Sequence, residues 1–431
     1  MDSREIIQAG LDYIEYNLKT DISVRELADA AGFSLYHYYR VFLRFVGLPV
    51  QQYIIRRRLL YAIYEIGSGR KMLQAAYDYG FDTYAGFYKA FRREFSCSPS
   101  SFLLRHRAKK PYKIDLFQEE QIMMTHKRVA QMLAAWGLSQ AEIVDIYYEG
   151  TDRQNEHAYY VGDRYVLKIS ANLGQLKSHM EISKALNAVG IQAATPVLTA
   201  ERTEYIQDGE LYACLTHRLE GDPLQSAALY RDTAMGRFLG QSLAKLHIAL
   251  TNLDDIAARD NDLLTLVREV ALPKAKDILH LDENFCKDYL KKFQALYPAL
   301  PRQLIHRDAH PGNILLKDGM AGFLDFDLSE RNLRLYDPCY AATAILQDAF
   351  SDEDAQDPNV WLKIYQNIFD GYNAVSSLTA EEWEAVPYVL LANQFVCVSW
   401  FSQQGQYEDV FRDNVAMTNW LVQNFERLKL T

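Results

Sequence analysis

Asp308, Asn313 and Asp325 have the types and spacing that phosphate chemistry needs. They fall in LIHRDAHPGNILLKDGMAGFLDFDLSERNLRLYDPCY, Leu304 to Tyr340. Within it Asp318-Gly319 separates two short apolar runs, Ile314 to Leu316 and Ala321 to Leu324, a pattern that predicts a β-hairpin. Closing that hairpin brings its open ends, Asn313 and Asp325, side by side. A carboxamide oxygen and a carboxylate presented together suit Mg²⁺, which needs few protein ligands when nucleotide phosphates supply the rest. Asp308, on the loop before Asn313, is placed to orient an acceptor hydroxyl and take its proton.

The elements that must position these groups are legible upstream. In YYVGDRYVLKI, Tyr159 to Ile169, Gly162-Asp163 closes another hairpin, and Val166 and Lys168 alternate against Tyr165, Leu167 and Ile169. A helix is predicted over about Leu176 to Val189, with Ile182, Ala185, Leu186 and Val189 as its apolar stripe and Glu181 at the stripe's edge. Lysine can hold phosphates and glutamate can hold lysine. The run YACLTHRLEG, Tyr212 to Gly221, predicts a strand breaking into a hinge, where the backbone around Thr216 and Leu219 would hydrogen-bond an adenine.

From Gln118 to the C-terminus the chain resembles the aminoglycoside phosphotransferase/choline kinase group of small-molecule kinases. The resemblance is carried by H-x-D-x-x-x-x-N at His306, Asp308 and Asn313, by D-F-D at Asp325 to Asp327, and by Lys168 and Glu181. It implies a bilobal α+β kinase-like fold using ATP and Mg²⁺. Asp308 would be the catalytic base, His306 a brace for its loop, Asn313 and Asp325 the metal ligands, and Lys168 the contact to the α/β-phosphates. The chain departs from the group at Arg307, where Gly is usual, and in a phosphate loop with the single glycine Gly150, so Asn155 is read as a phosphate contact. A competing zinc reading of His306, Asp308 and His310 is opposed by Pro311-Gly312, which break the helix that would align the histidines. Asp337 reads as a buried structural partner. Trp361, Trp383, Trp400, Phe401 and Trp420 mark the helices against which the group binds its acceptor, and the acidic Asp327, Glu330 and Asp348 would favour an amine-bearing alcohol.

The front of the chain carries a different signal, a repeat of about 48 residues. LADAAGFSLYHYYRVF, from Leu27, and AAYDYGFDTYAGFYKAF, from Ala75, both run small and apolar residues into a Gly-Phe pair, then a polar cap and an aromatic, basic helix. Gly32 and Gly80 supply tight turns, Phe33 and Phe81 plug between helices, and Ser34 or Asp82 caps the second helix of each pair. Leu35, Tyr38, Phe42, Phe87 and Phe91 are expected inside. This is a helix-turn-helix written twice, joined by a helix over Val50 to Ile66. Residues from Ser3 to Arg107 resemble the DNA-binding domain of the AraC/XylS regulators. The resemblance implies two recognition helices in successive major-groove segments of double-stranded DNA. Tyr36, Tyr39, Arg40, Tyr84 and Lys89 match base-facing positions; Arg44, Arg56, Arg57, Arg92 and Arg93 are read as phosphate contacts. Ser96 stands where that family often has Gly, and the domain leads the chain rather than ending it. The competing reading is a helical bundle with a solvated basic face.

Composition agrees with two partners. At 431 residues the chain exceeds one core, and its net charge of −10 hides an asymmetry. Up to Lys113 there are 18 Lys+Arg against 11 Asp+Glu; beyond it there are 28 against 45. A basic front suits a polyanion, an acidic rear a soluble ligand. No apolar stretch is long enough to span a membrane, the N-terminus lacks the order of a secretory signal, and the five cysteines show no C-x-x-C, so a cytosolic protein is expected. The expected domains are 1–110 for DNA, a linker at 111–118, and a kinase-like domain at 119–431 with lobes at about 119–215 and 222–431 around the hinge. The function read from these parts is a DNA-binding regulator fused to a phosphotransferase acting on a small-molecule hydroxyl. Its rivals are a regulator whose kinase-like domain only senses a ligand, and an enzyme whose front domain is a scaffold.

Overall fold

A computed structural model describes residues 3–95, 97–105, 110–111, 113–117, 126–147, 154–251, 253, 256, 258–351, 356–403 and 408–430. Two compact units divide the chain, Met1–Ala171 with Leu198–Leu215, and Asn172–Val197 with Thr216–Thr431.

The first unit opens with seven helices, α1 (Ser3–Tyr16), α2 (Val24–Ala30), α3 (Leu35–Val46), α4 (Val50–Gly67), α5 (Met72–Asp78), α6 (Tyr84–Phe95) and α7 (Pro99–Arg105). The two repeats fold alike, down to their turns. Gly32 and Gly80 adopt φ of 69° and 77°. The N–H groups of Phe33 and Phe81 reach back to the carbonyls of Ala28 and Ala76 at 2.9 and 3.0 Å, satisfying the open end of α2 and of α5. Ser34 caps α3 by accepting from the His37 N–H, but on α6 the cap is Thr83, accepting from Gly86, rather than Asp82. Tyr38, Phe42, Phe87 and Phe91 are fully buried; Leu35, at the first position of α3, is 37% exposed, contrary to its apolar character.

α4 fixes the two repeats relative to each other through three consecutive arginines. Arg56 pairs with Glu94 on α6, Arg57 grips Glu15 on α1 through Nε at 2.5 Å and Nη2 at 2.8 Å, and Arg58 donates to the carbonyls of Leu18 and Thr20. The Tyr53 hydroxyl also donates to Glu15. Arg56 and Arg57 are therefore buried structural residues, which corrects their reading as phosphate contacts: both guanidiniums are already neutralised inside the fold. Residues within the segment expected to be a linker are docked instead. Ile114 and Leu116 are buried in the front core, and Gln8 bonds to the backbone of both.

After α8 (His126–Leu133) come five strands in the order β1-β2-β3-β6-β5: β1 (Ile143–Tyr147), β2 (Gln154–Val161), β3 (Tyr165–Ser170), β5 (Ile206–Asp208) and β6 (Leu211–His217). The second unit begins with α9 (Leu173–Ala188) and β4 (Gln192–Ala193). It continues through β7 (Asp222–Pro223), α10 (Ser226–Arg231), α11 (Met235–Thr251), β8 (Arg259–Asp260), α12 (Leu263–Leu266), α13 (Leu272–Leu279) and α14 (Glu283–Leu296). β9 (Arg302–Ile305), β10 (Ile314–Lys317), β11 (Met320–Phe323) and β12 (Glu330–Leu333) precede α15 (Tyr336–Gln347), α16 (Pro358–Val375), α17 (Ala380–Phe401) and α18 (Glu408–Gln423). Two small sheets, β4-β11-β10-β7 and β8-β12-β9, lie in this unit. Helices α11 and α16 cross so closely that a Cβ on Gly240 would stand 1.8 Å from the Ile368 carbonyl oxygen. The fold is thus an all-α double helix-turn-helix region followed by an α+β kinase-like region. Among the described residues no helix is long and apolar enough to cross a membrane.

Removing one partner of a buried ion pair leaves the other charge desolvated, at about 3–5 kcal/mol. Arg57→Ala is expected to destabilise the front helices by about that amount, read by chemical denaturation, whereas Arg92→Ala on the exposed face of α6 leaves stability within about 0.5 kcal/mol.

Candidate active site and DNA-facing surface

The hairpin forms as its turn residues require. Asp318 and Gly319 both take positive φ, 51° and 75°, and Ile314 pairs with Phe323 through to Lys317 with Met320. Beyond the paired ends the Leu324 N–H donates to the Asn313 carbonyl at 2.9 Å, so Asn313 and the Asp325 turn are brought together as the spacing requires. Asp325 itself adopts φ 58°, a left-handed conformation that few non-glycine residues hold without support.

The loop carrying Asp308 is held from beneath. Asp337, in the first turn of α15 and fully buried, accepts the N–H groups of His306 and Arg307 at 2.8 Å each and Nε2 of His247 at 2.9 Å. Burial alone would push this carboxyl up, but the His247 hydrogen bond and the His247 and His306 rings outweigh it and hold it below the ordinary carboxylate value. Arg307 is thereby bent to φ 70°, the backbone shape that glycine would adopt freely. Its side chain turns to Glu330, 3.2 Å away, which also accepts from Asn261 and Asn332. Glu330 is buried among these donors, so its expected role as an acidic neighbour for a cationic acceptor is withdrawn: its charge is already matched.

His306 is fully buried, its Nε2 2.8 Å from the Leu324 carbonyl and its Nδ1 facing the Asp308 N–H at 3.3 Å. The Leu324 carbonyl and the Asp308 N–H occupy both ring nitrogens and leave none turned to a zinc ion. The Asp308 carboxylate accepts from Asn313 Nδ2 at 3.0 Å on one oxygen and from the Tyr340 hydroxyl at 3.0 Å on the other. Asn313 also donates to the Asp308 carbonyl at 2.9 Å, which fixes its amide orientation and leaves its Oδ1 as the atom able to bind a cation. His179, Asp325 and Asp327 present ligand atoms within 4.8 Å of one another. Sequence reasoning missed His179, Gln175, His247 and Tyr340. The spacing of His179, three residues from each of the apolar Leu176 and Ile182, is a weak signal for the first.

The remaining expected residues are spread over both units. Lys168 lies on β3 opposite Ala158, on the half-exposed face, while Leu167 and Ile169 are buried. Glu181 is on the exposed side of α9, which corrects its placement at the edge of the buried stripe; the helix buries His179 instead. Asn155 is within β2 opposite Ile146, its Oδ1 accepting from the His157 N–H, so it is a strand residue rather than part of a phosphate loop; Gly150 lies outside the described residues. Thr216 is buried and bridges to Pro196, and Leu219 is half-buried past the end of β6. On the front helices Tyr36, Arg40, Tyr84, Lys89, Arg92 and Arg93 are exposed, Tyr39 is half-buried, and the exposed Arg44 pairs with Glu210 at 2.6 Å.

A family model described as "Phosphotransferase enzyme family" matches residues 151–367, half of the chain. The chain belongs to the phosphotransferase enzyme family. Residues 27–105 of this phosphotransferase-family protein match a second model, "Helix-turn-helix domain", and form an AraC-type DNA-binding domain. That part is similar to the HTH-type transcriptional activator AarP of Providencia stuartii, 35% identical over 100 residues, 23% of this chain and 74% of AarP. It is also 33% identical over 108 residues to the HTH-type YkgA protein of Escherichia coli (strain K12), covering 25% of this chain but 44% of YkgA. In structure the chain is similar to the amicoumacin kinase hAmiN solved with AMP-PNP, Ca²⁺ and Ami, with TM-score 0.53 and 14% identity over 69% of this chain and 92% of that one. A microcompartment-associated aminopropanol kinase gives 0.52 and 13% over 70% and 96%. At such identity these likenesses establish the fold.

Because its folded pKa is depressed, Asp337 contributes stability that is present above the unfolded value of about 3.9 and lost as pH falls through the folded one. Denaturant unfolding from pH 6 down to pH 2 should therefore show a loss of stability whose slope in the acid range is smaller in Asp337→Asn, a variant less stable than the parent at pH 6.

Proposed function

We propose that the kinase-like region transfers the γ-phosphoryl group of ATP to the hydroxyl of a small molecule, and that the front domain binds double-stranded DNA. The observation that carries the phosphotransferase reading is the Asp308 carboxylate, oriented by Asn313 and Tyr340 at 3.0 Å each beside the Asp325 turn. In this reading Asp308 orients the acceptor hydroxyl and takes its proton as oxygen attacks the γ-phosphorus and the bond to the β–γ bridging oxygen breaks, releasing ADP. His306 and Asp337 hold the base in place, and Tyr340 shares or yields its oxygen to the acceptor. Asn313 and Asp325 would hold Mg²⁺, which when bound supplies neutralisation of the phosphate charge. Lys168 would meet the α/β-phosphates, and the backbone at Thr216 and Leu219 the adenine; both roles rest on the family resemblance. The names of the two kinases similar in fold favour nitrogen-bearing alcohols as the first acceptors to try.

A screen of amino-alcohols and aminoglycosides for acceptor-dependent ADP release tests this. Asp308→Ala is expected to lower turnover by about 10²- to 10⁴-fold with nucleotide binding kept; equal turnover in the variant would contradict the assignment. For DNA, Arg40 and Lys89 are the proposed base contacts and Arg92 and Arg93 the phosphate contacts. Arg40→Ala should cost about 1–3 kcal/mol on the preferred site and relax its sequence preference. Arg92→Ala should weaken all sequences alike and reduce the slope of log affinity against log salt by about 1. Both are read by fluorescence anisotropy across a salt series.

A further inference from the structure

The turn from Leu324 to Asp327 needs external support, because Asp325 sits at φ 58° and a strained residue persists only when its surroundings over-determine it. Its backbone groups show where the support comes from. The Leu324 N–H and carbonyl are taken by Asn313 and His306, and the Asp327 N–H approaches Asp325 Oδ1 at 3.4 Å. The Phe326 carbonyl accepts from the Ser329 N–H at 3.2 Å, and two further bonds come from α9. His179 Nδ1 accepts the Phe326 N–H at 3.3 Å, and Gln175 Nε2 donates to the Asp327 carbonyl at 2.9 Å. These residues are four apart and lie on one face of the helix. His179 is 4% exposed, and its ring lies against Phe326, which in turn packs on His306 at 4.7 Å between ring centroids.

We propose that Gln175 and His179 are the positioning residues of the metal-binding turn: the helix holds the backbone on both sides of the peptide linking Phe326 to Asp327 and so turns the Asp325 and Asp327 carboxylates toward one point. The inference rests on the phosphotransferase reading for what the turn binds, and on geometry alone for how the turn is held. It gives α9 a function although Glu181 faces solvent. A shift of α9 would be transmitted to the ion ligands through these two hydrogen bonds, with no lysine–glutamate pair required.

Three variants of the full chain separate the hydrogen bond from mere packing. His179→Phe keeps a ring against Phe326 without an acceptor, His179→Asn restores an acceptor without the ring, and Gln175→Met removes the other bond while leaving the length of the side chain. Amide hydrogen exchange over residues 324–328 is the first readout, and Mn²⁺ binding in the presence of AMP-PNP, tracked by electron paramagnetic resonance, is the second. Faster exchange at Phe326 and about 10-fold weaker Mn²⁺ binding are expected in His179→Phe, near-parental values in His179→Asn, and a smaller loss in Gln175→Met, all at an unchanged unfolding midpoint. Protection retained by His179→Phe but lost in His179→Asn would overturn the proposal in favour of packing. Parental exchange in all three would overturn it outright. Failure of the parent chain to bind Mn²⁺ with AMP-PNP would contradict the phosphotransferase reading, while the exchange result would still decide how the turn is held.

Discussion

The Asp337 carboxylate, enclosed at the start of α15, must accept whatever donors the surrounding chain can bring, because an unpaired charge there would cost several kcal/mol. It takes two successive backbone N–H groups and an imidazole, and in doing so sets the shape of the loop that carries Asp308. Arg307 is bent into a left-handed conformation, His306 is directed at the Leu324 carbonyl, and the hairpin end comes into register with the loop. The proposed chemistry depends on this chain of contacts, since a base and two metal ligands from the loop and the far end of the hairpin must converge without loss of rigidity. Tyr372, bonded to the other nitrogen of His247, extends the support into α16. The close crossing of α11 and α16 at Gly240 therefore bears on the loop as well as on the core.

The front helical domain solves the same problem by opposite means, with buried guanidiniums rather than a buried carboxylate. Arg56, Arg57 and Arg58 leave successive positions of α4 and reach α6, α1 and the connection between α1 and α2. The spacing of the two recognition helices is thus held by charge-assisted hydrogen bonds inside the domain. Arg40, Lys89, Arg92 and Arg93, by contrast, are exposed on α3 and α6.

Most of the architecture is legible in the sequence because each local signal agrees with its neighbours. The doubled Gly-Phe turn, the Asp318-Gly319 hairpin and the alternation around Lys168 each depend on steric rules that act within a few residues, and the folded chain shows all three. The features that sequence does not reveal depend on distant partners. Arg56 and Arg57 look like surface arginines until Glu94 and Glu15 are found beside them, and Glu330 looks like an acid for a cationic substrate until Arg307 reaches it. Glu181 is misplaced by its sequence because a helix with weak amphipathicity gives little warning of which polar residues it buries, and here these include His179 and Ser183. Asn155 has the composition of a loop around it, yet its strand pairing excludes one.

A crystal structure of the full chain with AMP-PNP and Mn²⁺, phased to show the anomalous signal of the ion, is the most direct measurement of whether these residues form a phosphoryl-transfer centre. The prediction is an ion bonded to Asn313 Oδ1 and the Asp325 carboxylate, with the γ-phosphate facing the Asp308 oxygen that Tyr340 holds. An ion elsewhere, or a nucleotide bound away from Asp308, would contradict it.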